Sequence, residues 1–110
     1  MDVLNFSKQE NMITDTYVQL IDDHIGILKN MIQETKPITG NKDYSYVGDF
    51  YGMLTALGID KKYHYGIMKV NGIESSDDFN TDVTAIDIPS LSYMDSLLEV
   101  AKSKLKNKAL

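Results

Sequence analysis

Apolar residues recur at spacings of three and four in the first third of the chain, a pattern typical of an amphipathic helix. Ser7 and Glu10 form a capping box at its start, and Pro37 disfavours helical backbone at the residue before it. The pattern therefore predicts one helix from about Ser7 to Thr35. At about 1.5 Å per residue, this helix would be about 42 Å long and would extend beyond a compact domain of this size.

Two apolar stripes run along the predicted helix, and the second holds Ile21, Ile25, Leu28 and Ile32. A helix that overhangs its own domain and carries two such stripes is typical of a protein that binds another protein. A second copy of the chain is one candidate partner. We therefore expect a protein interface on the first stripe, which consists of Ile13, Tyr17, Leu20, His24, Ile27 and Met31.

Two short strands are predicted in the rest of the chain. Residues 44–47 are rich in β-forming residues and end at Gly48, and residues 85–88 alternate in polarity before Pro89. The acidic, serine-rich segment 74–82 before the second strand is interpreted as a corner between two elements, kept solvated by its carboxylates.

Three further helices are predicted from their capping signals. Residues 50–57 fit a short helix that ends at Gly58, and Asp60 is a suitable N-cap for a second one, which Asn71-Gly72 stops. Ser90 or Ser92 would cap a last helix, whose inward positions are Leu91, Met94, Leu97, Leu98, Ala101 and Leu105.

These elements predict an α+β fold with three parts. Residues 1–40 hold the long N-terminal amphipathic helix, residues 41–90 form a β-α-α-β core with a two-stranded antiparallel sheet, and residues 91–110 form the C-terminal helix. A length of 110 residues suits one domain, and a hydrophobic content of 43% suits a folded one.

Charge and composition exclude several classes of function. The net charge of −5 disfavours binding to nucleic acid or to an anionic membrane surface, and all 11 basic residues are lysines. The absence of cysteine excludes disulfides and thiolate chemistry. The first ten residues lack the basic and apolar segments of a secretory signal, and no run of apolar residues is long enough to span a bilayer.

The middle of the chain resembles the LysM domain. The resemblance rests on YSYVGDFYGMLTALGI, on VNGI at positions 70–73 and on IDIP at positions 86–89. In that family a strand runs into a Gly-Asp pair, two helices follow, and an Asn-Gly turn precedes a last strand that ends in Ile-Pro. The resemblance covers residues 44–89 and implies the β-α-α-β core described above.

A finer resemblance concerns DKKYHYGIMKVNGI, which is similar to the LysM-like wedge subunits of contractile-phage baseplates. Tyr63-His64-Tyr65 corresponds to an aromatic pair in those subunits. The resemblance implies a non-enzymatic structural subunit of a phage tail, neck or baseplate, assembled in the host cytoplasm, with other virion proteins as partners. No cofactor and no metal is implied.

The LysM resemblance also implies an alternative function, which is binding of peptidoglycan or a chitin-type glycan. In family members that bind glycans, the ligand lies between the strand–helix loop and the loop after the second helix. The corresponding residues here are Gly48, Asp49, Phe50, Tyr51, Gly72, Ile73, Glu74 and Ser75. Asp49 has a simpler interpretation as the N-cap of the helix that follows.

Other candidate chemistry is weaker. Residues 78–82 alternate like a calcium loop, but Val83 and Pro89 replace the glycine and the bidentate glutamate that such a loop needs. His24 and His64 lie in no metal-binding or nucleophile motif, so we expect no enzymatic activity. An aromatic cluster in the middle third of the chain could form a core, an interface or a sugar platform; it consists of Tyr44, Tyr46, Phe50, Tyr51, Tyr63 and Tyr65. A third possible function is that of a small adaptor or inhibitor whose acidic face mimics a polyanion.

Overall fold

The computed structural model describes the backbone of residues 3–108 and the side chains of residues 10–105. Within this range the chain has six α-helices, two strands and two 3-10 turns. In chain order these are α1 (Val3–Asp23), α2 (Ile25–Lys29), β1 (Ile32–Pro37), α3 (Gly40–Tyr44), α4 (Phe50–Ala56), a 3-10 turn (Lys61–Tyr63), α5 (His64–Val70), a 3-10 turn (Ser76–Asp78), β2 (Ala85–Pro89) and α6 (Leu91–Lys108).

The predicted fold class is confirmed: the chain is α+β, with a two-stranded antiparallel sheet, a long N-terminal helix and a C-terminal helix. Helices α4 and α5 end close to Gly58 and Gly72, the two glycines that the sequence predicted as their ends. At Gly72, which has φ +73°, Ile73 N–H donates to Met68 C=O and Gly72 N–H donates to Lys69 C=O. This is a Schellman ending, and Gly58 ends α4 in the same way.

The first strand is not where the sequence predicted it. Residues 44–47 form the end of α3 and a turn, whereas β1, at Ile32–Pro37, pairs with β2 in a register that places Thr35 opposite Asp87. The sequence of β1 does not have the alternating apolar pattern of a strand, because its central residues Gln33, Glu34 and Thr35 are polar and all exposed. Pairing with β2 determines the structure here, and the β propensity of the tyrosines at 44 and 46 does not.

The long helix was also predicted too long. Helix α1 begins at Val3, before the capping box, and ends at Asp23; the side chain of Ser7 lies outside the described residues. His24 leaves the helix with φ −111° and ψ 14°, and its ring Nδ1 lies 2.7 Å from the carbonyl oxygen of Leu20. The change of direction lets α2 bring Leu28 into the core, where it is fully buried.

The buried core residues come from five helices, from β2 and from the loops that hold Ile38, Ile73 and Phe79. Phe50 and Phe79 are buried and meet edge to face, with ring centroids 5.6 Å apart. Phe79 belongs to the acidic segment predicted as a corner, so this one side chain anchors an otherwise solvated loop. The other fully buried large side chains are Ile21, Leu28, Met53, Leu54, Ile67, Ile86, Pro89 and Met94.

Helices α1 and α6 pack side by side in antiparallel directions. His24 lies beside Tyr93, with ring centroids 6.3 Å apart, and Leu98, further along α6, meets residues from earlier in α1. Gly66 of α5 packs against this seam so closely that a Cβ there would lie 2.5 Å from Met94 Sδ. A larger residue at position 66 would push the three helices apart.

Asn71 joins the sheet to the helices. Its side-chain Oδ1 accepts a hydrogen bond of 2.8 Å from Asp87 N–H, and its Nδ2 donates to the carbonyl oxygens of Asp87, at 2.9 Å, and Ile67, at 2.6 Å. The backbone groups of Asp87 that face away from β1 are thus paired by one side chain. Asn71 therefore acts as a one-residue third strand that is fixed to the end of α5.

Replacing Asn71 tests this brace. We expect Asn71→Ala to lower the free energy of unfolding by about 2 kcal/mol, because it leaves the outward backbone groups of Asp87 without protein partners. Asn80→Ala is a matched control, since Asn80 is exposed and its side chain bonds only within its own loop. Urea unfolding followed by circular dichroism measures both variants, and equal small losses would contradict the role assigned to Asn71.

Candidate functional site

The structure brings the two predicted glycan loops together. Tyr51 N–H donates a hydrogen bond of 3.0 Å to Ser76 Oγ, and Gly48 N–H donates one of 2.8 Å to the carbonyl oxygen of Phe79. The loop after α5 therefore lies against the start of α4.

Most of the predicted glycan residues have structural roles in this arrangement. Asp49 caps α4 by accepting a hydrogen bond of 2.9 Å from Gly52 N–H, which is its simpler interpretation. Phe50 and Ile73 are buried in the core. Gly48, Gly72, Glu74 and Ser75 are exposed, and Tyr51 is half-buried.

The predicted interface stripe is largely internal. Tyr17 and Leu20 are buried, and Ile13, His24 and Met31 are half-buried. Ile27 is 48% exposed, but it lies in α2 rather than α1, so the stripe does not continue along one helix. The apolar face of α1 thus packs mainly against this chain's own α5 and α6.

A groove lies where α1 and α6 meet the segment from Asp60 to Tyr65. Its volume is about 480 Å³, within the range of ligand-binding pockets. The two long helices contribute mainly aliphatic residues together with Tyr17, and α4 and α5 contribute Tyr51, His64 and Tyr65. The lining residues are Ile13, Thr14, Tyr17, Val18, Tyr51, Asp60, Lys61, Lys62, His64, Tyr65 and Leu98.

The Tyr63-His64-Tyr65 motif holds the groove's surroundings together. Tyr63 Oη donates to the carboxylate of Asp95 on α6, at 2.9 and 3.1 Å from its two oxygens. Tyr65 Oη donates to Asp22 Oδ1 on α1, at 2.6 Å. The tyrosines on either side of His64 thus each bind one long helix: Tyr63 binds α6, and Tyr65 binds α1.

His64 sits between them and points inward. It is buried, its ring lines the groove, and it packs at a tilt against Tyr51 with centroids 5.4 Å apart. Its Nε2 lies 2.8 Å from the carbonyl oxygen of Ile59. Because a carbonyl oxygen only accepts, Nε2 carries the hydrogen, and in the neutral ring Nδ1 is left as an acceptor.

Tyr17 forms the floor of the groove, and its hydroxyl donates a hydrogen bond of 2.9 Å to the carbonyl oxygen of Lys62. Burial raises the pKa of Tyr17 to about 12. Burial and the neighbouring Asp22 carboxylate raise the pKa of Tyr65 to about 12, and burial also raises that of Tyr51. These hydroxyls therefore stay protonated and act as donors and as stacking surfaces.

Two lysines at the rim differ in their surroundings. Lys62 Nζ lies 3.4 Å from Asp95 and 5.1 Å from the centroid of the Tyr63 ring, and hydrogen bonding to Tyr63 and Asp95 raises its pKa. Lys61 is exposed and forms no ion pair with any described side chain. At the rim of the groove, the ammonium of Lys62 is thus paired with a carboxylate, whereas that of Lys61 has no such partner among the described side chains and can pair with a ligand.

The other predicted features show no comparable arrangement. The segment 78–82 bonds to itself, with Asp82 N–H donating to Asn80 Oδ1 at 2.8 Å. Residues 10–105 hold no group of three or more side chains suited to binding a metal ion. Across the described helices, none combines the length and apolar character needed to cross a membrane.

Sequence reasoning found part of the groove and missed the rest. Ile13, Tyr17 and Tyr51 were predicted as functional residues, but for two different sites. Thr14, Val18 and Lys61 were missed; the apolar Val18 lies off both predicted stripes, which is the signal that could have identified it. His64 was considered as part of the aromatic motif and as a histidine without a metal-binding or nucleophile motif, but not as a lining residue of a groove.

The chain was compared with protein-family models, with curated proteins and with solved structures. None of the three comparisons gives a match.

Raising the pH tests the environment of Tyr17. Its pKa is about 12 in the folded chain and 10.0 in an unfolded one, so between these values the unfolded chain has lost a proton that the folded chain retains. Its contribution to stability is complete below pH 10.0 and falls as the pH rises towards 12. We expect the urea midpoint to fall less steeply over this range in Tyr17→Phe than in the parent, and identical slopes would contradict the assignment.

Proposed function

We propose that this chain is a non-enzymatic assembly subunit of a phage virion, in the tail, neck or baseplate, and that it acts through contacts with other virion proteins. The observation that carries the proposal is the groove between the two long helices and the Asp60–Tyr65 segment. The resemblance of residues 60–73 to LysM-like wedge subunits of contractile-phage baseplates supports the virion setting.

The hydrogen-bonding state of the groove favours a protein ligand. The hydroxyls of Tyr17 and Tyr65 already donate within the chain, and Thr14 Oγ1 donates to the carbonyl oxygen of Glu10 at 3.0 Å. A ligand rich in hydroxyl groups would therefore find none of these three hydroxyls free to donate to it. An apolar or aromatic side chain would bury its surface against the aliphatic and aromatic lining residues without needing such donors.

The placement of the groove also suits an assembly role. The groove lies where the two long helices meet α4, α5 and the segment between them, and the described residues form an elongated body of 51 × 31 × 21 Å. A small core that carries flanking helices offers a neighbour a contact surface built from rigid elements.

Site-specific cross-linking tests the proposal. A photoreactive amino acid at Val18, on the groove wall, should cross-link the chain to one defined protein of purified virions. The same group at Asn41, which is exposed on α3, is the control and should give little of that product. Absence of the chain from purified particles would overturn the proposed function. Equal cross-linking at Val18 and Asn41 would show that the groove is not the contact surface.

Binding to peptidoglycan is a second candidate function, favoured by Tyr51. Its backbone joins the two predicted glycan loops through Ser76, and its ring lines the groove. A sugar lying across the loops could therefore stack on this ring.

Co-sedimentation with insoluble peptidoglycan tests the second candidate. If the chain binds glycan, binding is saturable, is displaced by free oligosaccharide and falls at least about ten-fold in Tyr51→Ala, the cost of one lost stacking contact. Thr55→Ala is the matched control, because Thr55 is exposed one turn further along the same helix. A lack of saturable binding eliminates this candidate.

A further inference from the structure

Asn71 is the one asparagine of the chain that is followed by glycine. In such a pair the backbone nitrogen of the glycine can attack the side-chain amide of the asparagine, because glycine has no side chain to hinder the approach. The reaction is deamidation, and it converts the neutral asparagine to an aspartate or an isoaspartate. Its reactants are the chain and water, so any Asn-Gly pair that is free to move is a potential site.

The reaction has two steps. The nitrogen of Gly72 loses its proton to hydroxide and attacks Cγ of Asn71; the new N–Cγ bond closes a five-membered ring, the Cγ–Nδ2 bond breaks, and Nδ2 takes a proton from water and leaves as ammonia. Water then opens this cyclic imide. Addition at Cγ gives aspartate, and addition at the main-chain carbonyl carbon gives isoaspartate, in which the main chain runs through Cβ and Cγ.

Hydrogen bonds in the folded chain hold both reacting groups. The attacking group, Gly72 N–H, donates to the carbonyl oxygen of Lys69 at 3.1 Å. The leaving group, Nδ2 of Asn71, donates to the carbonyl oxygens of Ile67, at 2.6 Å, and Asp87, at 2.9 Å. The loss of ammonia therefore breaks the side-chain contact between α5 and β2.

The backbone at Asn71 also has the wrong geometry for the attack. Ring closure requires Gly72 N to lie on the same side of the Cα–C bond as the Asn71 side chain. The ψ angle of Asn71 is 4°, which places Gly72 N beside the backbone nitrogen of Asn71 instead. Rotation about this bond breaks the Schellman ending that Gly72 forms with φ +73°. Deamidation therefore requires the end of α5 to open.

The products cannot restore the contact. An aspartate at position 71 has two oxygens that accept and no N–H, so one of them would face the carbonyl oxygens of Ile67 and Asp87, which also only accept. An isoaspartate lengthens the main chain at the point where α5 ends. Both products also add a negative charge to a chain whose net charge is already −5.

We propose that Asn71 is a deamidation site that folding closes. The contact between α5 and β2 protects Asn71, and a chain that loses this contact reacts with water, releases ammonia and becomes a form that cannot rebuild the contact. A chain that has once opened is thereby marked permanently. Neither step involves the groove or a partner protein, so the chemistry is independent of the virion role.

Peptide mapping by mass spectrometry tests the proposal on the full chain. The chain is kept in one mildly alkaline buffer, with and without enough urea to unfold it, and conversion at Asn71 is followed with time. We expect conversion in urea to match that of a free peptide spanning residues 67–76. In the folded chain it should be at least about 100-fold slower, since only the open population reacts.

Equal rates with and without urea would overturn the proposal. Asn80 is the internal control, because it is exposed and the larger Thr81 follows it. Its slow conversion reports what urea does to an unprotected asparagine and should change little.

Two variants test whether packing against β2 is what protects Asn71. Ile86→Val shortens a fully buried side chain of β2 and should raise the rate in the folded chain about five-fold, because it raises the open population. Ile27→Val makes the same change at a side chain that is 48% exposed on α2, and it should leave the rate unchanged. Equal rates in the two variants would overturn the protective role of β2.

Asn71→Asp supplies one product directly. We expect its urea midpoint to lie below that of the parent, and deamidated parent chain, separated by its extra charge, should show a lowered midpoint too. A midpoint equal to that of the parent in both would show that the product rebuilds the contact and would overturn the permanent mark.

Discussion

The hydrogen bonds between the side chain of Asn71 and the backbone of Asp87 fix the relation of the sheet to the helices. A two-stranded sheet is marginal by itself, and here one of its strands is polar and exposed along most of its length. The amide of Asn71 pairs the outer edge of β2 and is held at the end of α5 by the Schellman ending at Gly72. Helix and sheet therefore share one anchoring residue.

This anchoring has consequences for the whole chain. Strand β1 follows α1 and α2, and β2 leads into α6 after the single residue Ser90, whose N–H donates to Met31 C=O at 2.9 Å. Pairing the strands therefore places α1 and α6 next to each other in opposite directions. Their seam supplies the aliphatic lining residues of the groove, and the tyrosines at 63 and 65 hold the Asp60–Tyr65 segment against it. The groove therefore depends on the pairing of β1 with β2, although neither strand lines it.

The parts of the fold that the sequence predicted are those with local signals. Helices α4 and α5 have aspartate caps and glycine endings, and β2 and α6 are separated by Pro89 and Ser90, whose Oγ accepts from Tyr93 N–H. The position of β1 depends on backbone pairing with residues 48 to 57 positions away, and no local pattern predicts such a pairing. The groove was predicted only in fragments for the same reason, because Tyr17, Tyr51 and Leu98 meet only in the folded chain.

The sequence distance between the groove's walls has a consequence for timing. Val18 lies near the start of the described chain, and Leu98 lies near its end, so a ribosome-bound chain that still lacks α6 has no second helix to form the wall. A partner that needs the complete groove would therefore bind only a chain that has paired its two strands and docked its last helix. Under the proposed assembly role, nascent chains would be excluded from the assembly until that point.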